Sequence, residues 1–272
     1  MSIDSIATDT ALKARHRALW ASGDYPNVAD LIGPLGKRIV EAVGVGPADR
    51  VIDVAAGAGN AAIPAARSGA EVVATDLTPE LLEVGESRAG QEGLAMSWRT
   101  ADAEDLPFDD GTFDVALSCV GVMFVPFHQP CADELVRVTR SGGRISLINW
   151  TPTGFVGQLF SVMKPYAPPP PPGAQPGVLW GNADHVRNLF GNRVTNLTTT
   201  TETVPVTQFT DGAAFRDFFK AYYGPTIAAY KTIADDPART AELDHAVAEL
   251  ADRNLVDGSM DWEYLLVTAT VR

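Results

Sequence analysis

Apolar residues recur along the chain in two rhythms. Short β-branched runs, such as Val51-Ile52 with Val54, alternate with stretches whose apolar residues return at helical spacing. Leu12, His16, Leu19 and Trp20 predict a first helix from Thr10, after frayed residues 1–9, that stops at Ser22-Gly23-Asp24-Tyr25-Pro26. Leu31, Ile32, Leu35, Ile39 and Val40 predict a second over 28–43, kinked at Gly33-Pro34. Strands are predicted around 51–54, 71–76, 95–100, 112–119 and 144–150. Between them fall helices from Ala61, from Pro79 with Thr78 as N-cap, and over 129–140 with a stop at Ser141-Gly142-Gly143. Five strands alternating with helices imply right-handed βαβ crossovers and a parallel, doubly wound α/β sheet.

After Thr151 the rhythm changes. A helix is predicted over 155–166, a stiff extended connection at Pro168–Pro172, a short helix at 184–190 and a Thr/Val-rich strand at 194–206. Two or three helices over 211–254 carry Phe215, Phe218, Phe219, Tyr222 and Tyr223, read as core more than as pocket, and a last strand runs over 262–271. The organisation expected is N-terminal helices at 1–44, an α/β core at 45–150, and an insert with substrate-side helices and the final strands at 151–272.

Composition narrows the partners. A chain of 272 residues, 46% hydrophobic and 20% charged, holds one large α/β domain with room for a subdomain. The net charge of −13, with no basic cluster, opposes nucleic acid, leaving a small molecule as the expected partner. No run of about 18 apolar residues predicts a membrane span, and no leader pattern is apparent at the N-terminus. Cys119 and Cys131 form neither a disulfide framework nor a metal-binding pair. A cytoplasmic protein with reduced thiols and no metal is the expectation.

The chemistry converges on the ends of the predicted strands. Asp53-Val54-Ala55-Ala56-Gly57-Ala58-Gly59 follows the first strand, where glycine turns and a helix N-terminus present backbone N–H groups to a ligand. Asp76 ends the second strand, and Asp102-Ala103 follows the third. Leu106-Pro107-Phe108-Asp109-Asp110-Gly111-Thr112-Phe113-Asp114 leads into the fourth, and Arg137 to Arg144 into the fifth. Over about residues 45–150 this set resembles the UbiE-like, type 11 branch of class I S-adenosylmethionine methyltransferases, with Ala55 standing at the first glycine of the family loop.

The resemblance implies a Rossmann-like methyltransferase fold: a mostly parallel seven-stranded sheet with an antiparallel last strand, an N-terminal helical lid and an insert after strand five. It implies S-adenosylmethionine as cofactor and S-adenosylhomocysteine as product. Asp53, Ala55, Gly57 and Gly59 would form the cofactor loop, Asp76 with Leu77 the ribose site, and Asp102 with Ala103 the adenine site. Cys119, Trp20 and Tyr25 complete the expected cofactor neighbours, the last two carried by the lid. Met123, Phe124, Asn149 and Trp150 are expected on the acceptor side, with His128 as candidate general base. These segments favour a small apolar or aromatic acceptor.

Plainer readings stand beside these. Asp76 could cap the following helix, Asp102 could satisfy loop N–H groups, Cys119 could be a small buried hydrophobe, and His128 and His185 could be structural. Trp20 and Tyr25 could merely pack their helix. Gly57-Ala58-Gly59-Asn60-Ala61-Ala62 also fits the nicotinamide-dehydrogenase pattern, although Asp53 would repel a pyrophosphate. A protein that binds S-adenosylmethionine without catalysis is the remaining alternative.

Overall fold

The first β-branched run becomes an interior strand of the sheet. The computed structural model describes residues 3–272, with side chains described from Ala11 onward. In chain order the elements are α1 (Ile3–Trp20), α2 (Tyr25–Leu31), α3 (Gly33–Val43), β1 (Arg50–Val54), α4 (Ala62–Arg67), β2 (Glu71–Asp76), α5 (Pro79–Gln91), β3 (Ser97–Thr100), β4 (Phe113–Cys119), α6 (His128–Val138), β5 (Thr139–Trp150) and α7 (Phe155–Met163). There follow α8 (Ala183–Phe190), β6 (Val194–Val206), α9 (Gly212–Tyr222), α10 (Gly224–Thr232), α11 (Pro237–Asn254) and β7 (Met260–Val271).

The strands form a seven-stranded sheet in the order β3-β2-β1-β4-β5-β7-β6. β1 to β5 are mutually parallel, and β5 pairs with β7 antiparallel. The order reverses between β1 and β4, which opens a crevice at their carboxyl ends. Val51, Ile52, Val115, Leu117, Ile145 and Leu147 have no exposed surface, as expected for strands covered on both faces.

Three boundaries and one cap differ from the sequence reading. α1 starts at Ile3, earlier than Thr10; the part of the frayed reading that concerns residues 1 and 2 lies outside the described residues. The predicted kinked helix over 28–43 is two helices, because Ile32 (φ −113°, ψ 15°) leaves the helical region just before Gly33-Pro34. α6 ends at Val138, and Ser141-Gly142-Gly143 lies inside β5 as a bulge, where the register to β4 shifts between Phe113 and Val115. Thr78 occupies the N-cap of α5 but makes no side-chain cap bond, its hydroxyl turning instead to Asp76.

The chain divides into two compact units. One comprises Ile32–Gly157, Gly173–Val204 and Asp261–Arg272, and holds most of the sheet. The other comprises Met1–Leu31, Gln158–Pro172 and Pro205–Met260, and is built from helices. Its core is the predicted aromatic cluster: Phe215 and Phe219 stack at 4.3 Å, Phe219 meets Tyr223 at 5.3 Å, and all three are buried. Within this unit Trp20 packs edge-on against Tyr25 at 5.3 Å and against Tyr223 at 6.0 Å. Gly23 (φ +78°) lies so close to α10 that a Cβ would stand 2.6 Å from Ile227 Cδ1, so this position is tightly packed as well as left-handed.

Candidate cofactor and acceptor site

β1 ends on Asp53-Val54, and its loop turns through three left-handed residues: Ala55 (φ 55°), Gly57 (φ 54°) and Gly59 (φ 85°). Ala55 thus keeps the conformation that glycine adopts freely, at a cost of about 1–2 kcal/mol for a residue with a Cβ. Its neighbour compensates in space: a Cβ on Gly121 would stand 2.9 Å from Ala55 Cβ and 2.2 Å from Ala55 O. Gly59 is also required by contact, because a Cβ there would lie 2.8 Å from the ring of Trp98. That indole fills a slot whose other wall is Gly85, where a Cβ would come within 2.4 Å of the ring.

Two carboxylates hold the loop. Asp53 is buried, and its Oδ2 accepts the Ala62 N–H of α4 at 2.8 Å, while its Oδ1 has no hydrogen-bond partner. Burial above all, with Asp76 nearby, pushes its carboxyl up to about 8. The Asp53 carboxyl thus already occupies the Ala62 N–H at the start of α4, a donor that a dinucleotide pyrophosphate would use, and the dehydrogenase reading loses part of its anion site. Asp76 Oδ2 accepts Gly57 N–H at 2.9 Å, and Oδ1 accepts Thr78 N–H at 2.8 Å. Burial raises this carboxyl, and the same hydrogen bonds oppose the rise.

Strand pairing sets the acidic residues in a row. Asp76 pairs with Thr100 across β2 and β3, and Ala101 N–H donates to Asp76 O at 3.0 Å, which brings Asp102 alongside. Asp102 Oδ1 accepts Glu104 N–H at 2.9 Å, and Ala103 is buried beside it. Leu77 is half-buried after Asp76. Asp53, Gly57, Asp76 and Asp102 are thus gathered at the adjoining ends of β1, β2 and β3.

Across the crevice, β4 ends at Cys119, half-buried, its thiol held well above the ordinary range by burial and by Asp53. Ser118 ties the two sides together: its hydroxyl donates to Val54 O at 2.7 Å and accepts Val122 N–H at 3.0 Å. Val120 is left-handed (φ 54°), a strained conformation for a β-branched residue. Met123 and Trp150 are buried and Phe124 half-buried. Asn149 is buried with neither amide atom bonded. His128 begins α6, fully buried, with Nδ1 2.9 Å from His185 Nε2 and Nε2 without a partner. Burial, with His185 beside it, pulls His128 down to about 4. Trp20 and Tyr25 belong to the helical unit, where their rings pack as described above.

The two later sequence motifs turn out to be one network. Arg137 donates to Leu106 O (2.8 Å), Phe108 O (2.6 Å), Asp110 and Glu134, while Glu134 accepts Leu106 N–H at 2.6 Å. Gly111 N–H closes onto Arg137 O at 2.8 Å, and Arg140 reaches Asp114. This fastens the segment between Asp102 and β4. Trp98, Ser118, Gly121, Trp180 and the pairing of His185 with His128 are the parts of this region that sequence reasoning missed. The small-residue positions facing Trp98 have no periodic signal, and no local pattern pairs two histidines 57 positions apart.

A mostly parallel seven-stranded sheet with this loop and this acidic row defines a class I S-adenosylmethionine-dependent methyltransferase. A methyltransferase-domain family profile matches residues 52–147. An uncharacterized protein of Mycobacterium tuberculosis is 48% identical over the full length of both chains. The demethylmenaquinone methyltransferase of Clavibacter sepedonicus is 35% identical over 145 residues, 53% of this chain and 52% of its own. The solved structure of the YcgJ protein of Bacillus subtilis shares the fold, with a TM-score of 0.60 at 20% identity over 87% of this chain and 97% of that one. The chain is a class I methyltransferase whose cofactor is S-adenosylmethionine, and over about half its length it is similar to the UbiE-like demethylmenaquinone methyltransferases. Among the described residues no helix is long and apolar enough to cross a membrane.

Proposed function

We propose that the enzyme methylates a small apolar or aromatic molecule bearing a hydroxyl group. The observation that carries this reading is the presence, at the end of β5 and in the segment after β4, of buried apolar side chains, Met123 and Trp150, together with the unpartnered polar atoms of Asn149 and His128. An apolar wall with a few unsatisfied polar groups suits a largely apolar ligand that has one polar end.

The residues present fit the cofactor. Asp76 has carboxylate capacity left for the ribose hydroxyls, Asp102 and Ala103 suit the adenine edge, and Leu77 and Cys119 flank these positions. The buried, unpartnered Oδ1 of Asp53 and the left-handed turns at Ala55, Gly57 and Gly59 suit the cationic methionine portion. When bound, the cofactor supplies a methyl group already activated by its sulfonium. The chain's own work is then to bind, to align the acceptor and to keep water out. His128, neutral at physiological pH, offers a lone pair at Nε2 to the acceptor hydroxyl. Trp20 and Tyr25, in the same proposal, gain order when the cofactor binds.

The test is an acceptor screen with methyl-labelled S-adenosylmethionine across phenols, hydroxyquinones, aliphatic alcohols, amines and carbon acids. Label transfer to aromatic hydroxyls supports the proposal. Transfer only to charged amines would overturn it.

A further inference from the structure

The two ring nitrogens of His128 are treated unequally. Nδ1 is committed to Nε2 of His185 on α8 at 2.9 Å, whereas Nε2 is buried without a partner. Trp180 lies against the same ring at 5.5 Å between centroids, and its indole N–H is also unpartnered. The turn that carries Trp180 abuts both strand-end loops: a Cβ on Gly177 would stand 2.4 Å from Met123 O, and one on Gly181 2.0 Å from Trp150 O. Buried polar atoms are ordinarily satisfied. Here several are not, and they belong to residues at the carboxyl ends of β4 and β5 and to the turn that packs on those ends.

We infer that His185 is the positioning and proton-relay partner of His128, so that the proton removed from a hydroxyl acceptor ends as charge on His185 rather than on the buried ring. This rests on the hydroxyl-acceptor reading above. In the step, the acceptor O–H proton passes to Nε2 of His128 while the Nδ1–H of that ring passes its proton to Nε2 of His185. The O–H and Nδ1–H bonds break, an N–H bond forms on each ring, and the electron pair of the O–H bond stays on the acceptor as the oxyanion that methyl transfer needs. His128 is neutral again, and the positive charge rests on His185.

The physical reason is solvation. His128 has no exposed surface, whereas His185 is half-buried and can share an imidazolium charge with water. Burial, with His185 beside it, pulls His128 down to about 4, and burial also lowers His185, the less enclosed of the two rings. Apart from the Trp180 indole N–H, Gln175, Glu104 and Asp184 on the neighbouring segments have partners of their own. Gln175 accepts the His128 backbone N–H at 3.3 Å, and Glu104 accepts Phe127 N–H at 2.8 Å. Asp184 is paired with Arg187 at 2.8 Å.

Nitrogen-15 NMR of the histidine rings in the full chain, with S-adenosylhomocysteine added, tests this directly. The relay requires His128 to be neutral with its proton on Nδ1 and Nε2 bare, and requires the first proton taken up on acidification to appear on His185. A proton resting on Nε2 of His128, or first uptake by His128, would overturn it. His185→Gln keeps a hydrogen-bonding side chain but cannot carry the proton. With an acceptor from the screen, it should lower kcat by at least ~10-fold, a fraction of the ~10²–10⁴ that general-base catalysis contributes, with KM little changed; an unchanged kcat and pH profile also overturns the relay. Added 4-methylphenol examines the acceptor reading separately. If it leaves the His128 and Trp180 signals unmoved while the tautomer is as stated, the acceptor reading fails and the ring assignment does not.

Discussion

Asp53→Asn offers a test in which stability and function move in opposite directions. The carboxyl is buried, bonded through one oxygen only, and pushed up from its ordinary 3.8 to about 8. The folded protein therefore keeps a proton that the unfolded chain releases above about pH 4. Ionisation favours the unfolded chain across that interval, so this residue lowers stability by about 1.4 kcal/mol for each pH unit between about 4 and 8, and is level outside it. At neutral pH the accumulated effect is roughly 4 kcal/mol. Asparagine does not ionise, and its carbonyl can still accept Ala62 N–H. Its amide nitrogen replaces the unpartnered oxygen, at a pH-independent cost of about 1–3 kcal/mol. Urea unfolding of both proteins from about pH 5 to about pH 8 should show the variant gaining on the parent at close to that slope. Parallel curves would refute the reasoning. If the cofactor's ammonium lies beside this carboxyl as proposed, Asp53 should ionise on binding, so S-adenosylhomocysteine should release a proton below about pH 8. Calorimetry in buffers of different ionisation heat would detect it, and the release should vanish in the variant even as affinity falls.

Three further outcomes are expected. Gly85→Ala places a methyl 2.4 Å from the Trp98 ring and 3.0 Å from Ala58 C; it should destabilise by about 1–3 kcal/mol in chemical denaturation and weaken cofactor binding through Ala58, whereas an unchanged midpoint would mean the slot is slack. Arg137→Ala removes a partly buried cation that holds two backbone carbonyls and leaves Glu134 without its main partner; a loss of about 2–4 kcal/mol is expected in urea, and a loss below about 0.5 kcal/mol would contradict the bridging role. Amide hydrogen exchange over 12–25 should slow when S-adenosylhomocysteine is added if Trp20 and Tyr25 take part in binding; equal exchange with and without it, together with normal affinity in Tyr25→Ala, would remove them from the site.

The sheet was legible because its signals are local. Val51-Ile52, Val72-Val73 and Leu147-Ile148 are apolar runs too short for helices, and each is separated from the next by helical spacing and glycine stops. The loop of Ala55, Gly57 and Gly59 was legible for the same reason, since left-handed backbone selects small residues. The bulge at Gly142 was not, because a glycine pair reads equally as a helix stop and as a strand irregularity. Packing across distant segments left still less trace. Trp98 looked like one residue of a short strand, and only the fold reveals that Gly59 and Gly85 are small to receive it. His185 looked structural because its partner lies far away along the chain.

The central claim is that the acidic row at the ends of β1, β2 and β3 receives S-adenosylmethionine, and calorimetry with S-adenosylhomocysteine tests it most directly. The parent protein should bind in the micromolar range and give no heat with NAD. Asp76→Ala should weaken binding by about 2–4 kcal/mol, roughly 30- to 1000-fold, because it removes the acceptor proposed for the ribose and the anchor of Gly57 N–H. An unchanged dissociation constant in that variant, or a parent protein that binds NAD and ignores S-adenosylhomocysteine, would contradict the account.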